Sequence, residues 1–260
     1  MNIFIAPFVN ALFGFYYLLG NLGWSVVVVT ILIRLLLIPL VLPSLKSAKK
    51  MTALQPKLKR LQEKYKGEKE KLAKAQMDLY KEEGINPLSG CLPQLLQIAV
   101  LIVFFSAFNL VTNYSIGKGS MEAVNRELIP SFQINSDFKF DTSFLGNRLA
   151  ETPASLFKMG ININWILPFI LLVGSGVLQY FSSKLMMPAP KVDETVAKKT
   201  EDKEDDMMSA MRTQSTYMMP IMTVFIGWNF SLGMLLYWFV NSAVMLAQQL
   251  VVGKMDKSKV

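Results

Sequence analysis

The sequence contains no histidine and a single cysteine, Cys91. Without histidine, His-based nucleophile triads and most zinc sites are excluded, and one cysteine cannot form an intramolecular disulfide. No Walker-type glycine loop occurs, so nucleotide hydrolysis by this chain is not expected. An intramembrane enzyme built on Cys91 or Ser106 would lack a histidine partner, and the plainer reading of Cys91 is a residue at the start of a helix. We therefore expect no enzyme, no catalytic residue, no cofactor and no metal. Charge is scarce too: 18% of the 260 residues are charged, against 52% hydrophobic residues and a mean hydropathy of +0.35. That leaves too little polar surface for a soluble globule of this length.

What is present is apolar sequence gathered into blocks. A hydrocarbon core of about 30 Å needs about 20 apolar residues as a helix, and Leu22 to Leu42, Leu92 to Val111 and Ile163 to Phe181 meet that length. Tyr217 to Val252 is nearly twice as long and is expected to be two spans, broken between Gly227 and Gly233 where Asn229 and Ser231 interrupt it. The expected fold class is all-α and polytopic, with a five-helix transmembrane core. Phe4 to Leu19 reads as an amphipathic helix at the interface rather than a sixth span, with Asn10, Gly14 and Tyr17 as a weak polar stripe. It has no basic n-region that would mark a signal peptide.

Loop charge sets the orientation, because Lys and Arg gather on the cytoplasmic side. Twelve lie between Pro43 and Cys91 but only five between Thr112 and Asn162, which predicts a cytoplasmic first loop, an outside N-terminus and a cytoplasmic C-terminus in the cell membrane. The net charge of +8 thus records topology, and no specific nucleic-acid partner is expected. The basic loop carries Leu54, Leu58, Leu61 and Tyr65, then Leu72, Ala75 and Leu79 after Gly67, at helical spacing, which predicts a helical hairpin ended by NPLSG from Asn86. Pro56 is expected to start or bend its first helix. The acidic run Glu201 to Asp206 reads as a solvated linker. The expected division is 1–21 interfacial helix, 22–43 first span, 44–90 cytoplasmic hairpin, 91–112 second span, 113–162 extracytoplasmic loop, 163–183 third span, 184–215 cytoplasmic loop, 216–252 fourth and fifth spans, and 253–260 tail.

Arg34 is the most informative residue. It follows Trp24, suited to the outer interface, by ten residues, about 15 Å along a helix and so near the midplane. An arginine there costs about 2.5–3.5 kcal/mol on insertion scales. The plainer readings are a snorkelling side chain or a helix-to-helix salt bridge, but both interfaces are distant and no Asp or Glu lies in any expected span. A polar cavity in the bundle is the expected solvent. Thr30, Gln94, Gln97, Gln179, Tyr237, Trp238 and Asn241 could furnish it, although each alone could simply bond a neighbouring helix.

The run from Trp24 through Arg34 to Pro39, then SAKKMTALQPKLKRLQEKYKG, LYKEEGINPLSGCLPQLLQ, FLGNRLAETP from Phe144 and GMLLYWFVNSAVMLAQQ from Gly233, resembles the YidC/Oxa family of membrane protein insertases in order and spacing. The resemblance implies a positively charged hydrophilic groove, open to the cytoplasm and to lipid and closed on the outside. It places Arg34 and Thr30 in that groove, Trp238 at an aromatic position that contacts substrate, and Gln97 and Gln179 at further polar positions. It implies nascent membrane proteins and the lipid bilayer as partners, and leaves the ribosome and the Sec translocon open. A long basic tail for ribosome docking is not expected. Where the family has proline, this chain has Ala99, which puts the kink of the second span in question. The function implied is insertion and folding of nascent membrane proteins. The rival is a secondary transporter or channel with Arg34 in its site, against which stand the odd span count and the lack of inverted repeats.

Overall fold

Where water is absent, every backbone group must bond within its own segment, so long apolar blocks become helices. The computed structural model describes residues 1–65, 67–85, 92–160, 162–186 and 213–257. Four helical segments are long and apolar enough to cross a membrane: Leu22–Ser44, Leu95–Ser115, Ile163–Met186 and Leu232–Val252. The remaining expected span is described as a π-helical turn, Gln214–Met218, followed by helix Met219–Gly227, and over those residues it is shorter than one crossing. The turn Trp228–Ser231 separates it from the last helix, inside the stretch where a break is expected.

The first helix, α1 (Ile5–Leu19), stops at Gly20, whose φ of 65° lets its N–H bond the Tyr16 carbonyl. Its 15 residues make about 22 Å, short of a crossing. The polar stripe finds a protein partner rather than solvent. Asn10 donates to the Glu127 carbonyl (2.7 Å) and accepts from the Ile129 N–H (2.8 Å), and the Tyr17 ring lies 5.6 Å from that of Phe132.

Helix α2 (Leu22–Ala53) runs for 32 residues through Pro39 and Pro43, so the expected boundary at residue 43 is not a break. Each proline removes one backbone donor, but no glycine follows to turn the chain away. The bend comes at Leu54, and Pro56 sits in the first turn of α3 (Gln55–Lys64). Gly67 (φ 85°) turns the chain into α4 (Lys69–Glu82). The hairpin core is Leu54, Leu58, Tyr80 and Ile85; Leu61, Tyr65, Leu72, Ala75 and Leu79 are only half-buried. Helix α4 ends before NPLSG, at Glu82, with Gly84 at φ 63°; the NPLSG motif and Cys91 lie outside the described residues. Helix α5 (Leu92–Ser115) passes through Ala99 unbroken, and the Gln94 side chain is outside the described ones.

The segment expected as an extracytoplasmic loop is folded. Ser120 caps α6 (Met121–Glu127), a 3-10 turn covers Pro130–Phe132, and β1 (Ser143–Phe144) pairs antiparallel with β2 (Asn147–Arg148). Leu145 and Gly146, both at positive φ, make the two-residue turn that such a hairpin needs. A Thr152–Ser155 capping box opens α7 (Pro153–Lys158). Then come α8 (Ile166–Met186), α9 (Met219–Gly227) and α10 (Leu232–Lys257). The acidic run at 201–206 lies outside the described residues. Helix α10 packs on α8 and α2, α9 on α8, and α1 along α2 and α5.

Candidate functional site

Arg34 stands midway along the crossing segment of α2 and is only 8% exposed. Its Nε donates to Asn241 Oδ1 on α10 and its Nη2 to Gln97 Oε1 on α5, so one cation ties three helices together. The Gln97 amide in turn donates to the Tyr237 hydroxyl at 3.3 Å. Among the described residues no carboxylate pairs with Arg34. Charge-assisted bonds to neutral oxygens take the place of a counter-ion.

Each partner is itself held in place. The Tyr237 ring stacks on Phe104 with centroids 4.2 Å apart, which fixes its hydroxyl against Gln97. Tyr237 and Asn241, four residues apart, share one face of α10. Gln248, one further helical repeat along, donates its side-chain amide to the Arg34 carbonyl at 3.3 Å. Thr30 also lines the site, but its hydroxyl is spent on the Val26 carbonyl at 2.6 Å, so it offers the site chiefly a methyl and an acceptor lone pair. Ile33, Leu37, Val41, Leu96 and Val100 complete an apolar wall. Only about 10 Å³ inside is open to a water-sized sphere, room for roughly one molecule. In this conformation the polar side chains close on one another rather than around a wide water-filled space.

The structure thus brings together Arg34, Thr30, Gln97, Tyr237 and Asn241, and leaves two of the expected residues elsewhere. Gln179 accepts from the Thr223 hydroxyl at 2.5 Å and ties α8 to α9. Trp238 points to another side of α10, its ring 5.8 Å from that of Phe230. Sequence reasoning missed Gln248, although its seven-residue spacing from Asn241 was a legible signal. It also missed the seam beside Gln179. There Ser182 donates to Gln249 Oε1 at 2.7 Å and Ser215 meets Ser183 at 3.4 Å.

This site holds a guanidinium, two amides and a phenol hydroxyl in one hydrogen-bonded chain. It can attract a polar or anionic group into the bundle by offering an arginine whose present partners are neutral.

Comparison with known proteins gives a consistent picture. Residues 14–259 match the family model described as 60Kd inner membrane protein. The chain is similar to "Membrane protein insertase YidC" of Fusobacterium nucleatum, 31% identical over 236 residues that cover 90% of this chain and 87% of the relative. A protein of the same name from Pelobacter propionicus is 28% identical over 98% of this chain, which spans only 39% of that relative's length. Among solved structures, the fold is similar to "Active YidC insertase crystal structure with the first transmembrane domain resolved", with a TM-score of 0.54 at 23% identity, covering 95% of this chain and 46% of that one.

Proposed function

This chain belongs to the 60Kd inner membrane protein family, and from that premise we propose that it is an insertase and chaperone for nascent membrane proteins, working through Arg34 and the polar groups around it. The observation that carries the reading is a buried arginine in mid-span whose partners are neutral amides. An ion pair with a fixed carboxylate would be satisfied for good. Amide oxygens on two other helices can be exchanged for those of a passing segment at little net cost.

The process is noncovalent, and the chain is not an enzyme. The apolar part of a nascent segment slides along the lipid-facing helices while its short polar flank enters beside Arg34, where desolvation is less costly than in hydrocarbon. Arg34, Gln97, Tyr237 and Asn241 receive the flank as α5 and α10 part from α2. Thr30 lines the path, and Gln179 and Trp238 contact the segment from other faces of the bundle. The hairpin α3–α4 is cytoplasmic, the folded segment 113–162 extracytoplasmic, the N-terminus outside and the C-terminus inside. A ribosome and a Sec translocon are further partners on this reading.

Reconstitution into liposomes with a small single-span substrate tests it. Insertion without nucleotide is the expected result, whereas solute flux without insertion would replace this reading by a transporter. Single cysteines at Ser47 and Ser136, each with Cys91→Ser, test the orientation: the first should label only from the cytoplasm and the second only from outside.

A further inference from the structure

A second cleft shares no lining residue with the Arg34 site. It measures about 790 Å³ and lies where α5 leaves the membrane, lined by Tyr114 and Ser115 at the end of that helix, the Ile116–Gly119 turn, Phe138–Phe140, Thr142, Arg148 and Glu151. Segment 112–162 carries five basic and five acidic residues and is neutral as a whole. The cleft itself is net positive, because Lys139 and Arg148 line it against a single lining acid, Glu151. The Glu151 carboxylate accepts from the Arg148 backbone N–H at 3.3 Å. Asp141 accepts from the Ser143 N–H (2.9 Å) and hydroxyl (2.5 Å) and from Asn21 (3.4 Å), and does not line the cleft. Lys139 and Arg148 line it, are exposed, and have no ion pair among the described residues.

Depth then identifies the ligand. Ser115 is the last residue of a crossing segment, so the cleft opens at the level of lipid headgroups. Its two cations suit a phosphate diester, and the Tyr114, Phe138 and Phe140 rings suit the glycerol and upper acyl carbons beneath it. We propose that this cleft seats the headgroup phosphate of an anionic phospholipid of the leaflet opposite the hairpin, between Lys139 and Arg148. The bound lipid would brace the folded segment against α5, a role separate from insertion at Arg34.

The test uses the full chain in nanodiscs, with Cys91→Ser, a small fluorophore on Ser136→Cys at the cleft rim and nitroxide-headgroup lipids as quenchers. Quenching should favour phosphatidylglycerol over phosphatidylcholine on the order of tenfold. Lys139→Gln with Arg148→Gln should abolish the preference, and the charge-preserving pair Lys139→Arg with Arg148→Lys should keep it. Melting curves confirm that the variants fold, and the readout needs no insertion activity. Equal quenching by the two lipids, or a preference that survives the double glutamine change, overturns the proposal. So does loss of quenching in millimolar inorganic phosphate, which would assign the site to a free anion. Displacement by an acidic peptide at concentrations that leave the bulk lipid unchanged would assign it to polypeptide and likewise overturn it.

Discussion

The two halves of the helix bundle bury different things. Toward the folded 113–162 segment, the described buried residues are mainly apolar: Leu22, Val26 and Val29 on α2, Phe104, Ala107, Phe108 and Val111 on α5, Leu171 and Leu172 on α8, and Leu232 to Tyr237 on α10, with Ser25, Thr112 and Ser175 as small polar exceptions. Toward the hairpin they turn polar, with Arg34 and Ser44 on α2, Ser182 and Ser183 on α8, and Asn241, Ser242 and Gln249 on α10. Among the described residues, Gln249 Nε2 and Thr216 Oγ1 are buried there without a partner, as are Asn147 Oδ1, Trp165 Nε1 and Ser231 Oγ toward the other end. One half is a mainly apolar seal and the other a polar seam, and on the proposed function a polar segment enters from the hairpin side. The same polarity that weakens packing there is what the proposed function needs.

The largest expected effect comes from breaking the seal. A Cβ on Gly233 would fall 1.9 Å from Phe108 Cζ, and Phe108 is fully buried with no room to retreat. Gly233→Ala should lower stability by about 3 kcal/mol, the upper end of the usual cost of overpacking. Adding Phe108→Leu should restore part of the loss, since the clashing ring atoms are removed. Melting of purified protein in detergent reads both, and a second substitution that makes matters worse would show that the ring is not the obstacle.

On the polar side the effects should be smaller and should separate charge from bridging. Arg34→Ala leaves the Gln97 and Asn241 oxygens without their donor, at a cost of about 1–3 kcal/mol. It should also impair substrates with acidic flanks more than neutral ones. Gln97→Ala with Asn241→Ala removes the bridge and keeps the cation, so stability should fall by a similar amount while acidic flanks still insert. Insertion of matched substrates, with melting of each variant, distinguishes the two. Equal loss for both flanks in step with stability would make Arg34 a structural tie and nothing more.

This division was only partly legible in the sequence. The crossing segments, the break after Gly227 and the convergence of Arg34, Gln97, Tyr237 and Asn241 could be read because length, glycine placement and helical spacing are local properties. Gln179 and Trp238 could not be placed, because which face of a helix meets which neighbour depends on packing that one helix's sequence does not contain. Residues 113–162 read as a loop for a related reason. Their two-residue strands and six- and seven-residue helices are too short to show a period and are held by contacts with α1 such as those of Asn10. Helix α2 ran past Pro43 because proline only weakens a helix when nothing else redirects the chain.

A third prediction concerns the hairpin, which joins the polar side but has its own small core. Lys57 pairs with Glu83 across it, at side chains 58% and 35% exposed. Such a pair is screened by solvent and worth about 0–1 kcal/mol. Lys57→Ala should therefore leave hydrogen exchange in α3 and α4 nearly unchanged, the hairpin being held by Leu54, Leu58, Tyr80 and Ile85. Marked loss of protection would mean that charge, not burial, closes it.

The smallest expected effect returns to the mainly apolar side and gives it a pH dependence. Hydrogen bonds from the Ser143 hydroxyl, then from its backbone N–H, hold the Asp141 carboxyl below its ordinary pKa; burial opposes this, and the Asn21 side chain adds the smallest lowering. A depressed carboxylate pKa stabilises the fold above the unfolded value of about 3.9, and that contribution is lost as pH falls through the folded value. Asp141 is largely exposed, so the change should be slight, and it should appear where the Asn21 side chain and the Leu22 N–H hold residues 141–143 against the start of α2. Ser143→Ala removes the leading cause, so the Asp141 pKa should rise toward its ordinary value, as carboxyl NMR of Asp-labelled protein would show. Acid loosening of the α2 start should then be smaller than in the parent, because the folded and unfolded values draw together, while the Arg34 cluster, which contains no carboxylate, should not respond over the same range. An unchanged Asp141 titration in Ser143→Ala would show that the serine does not stabilise the charge, and loosening at Arg34 in the same window would mean that the two halves open together.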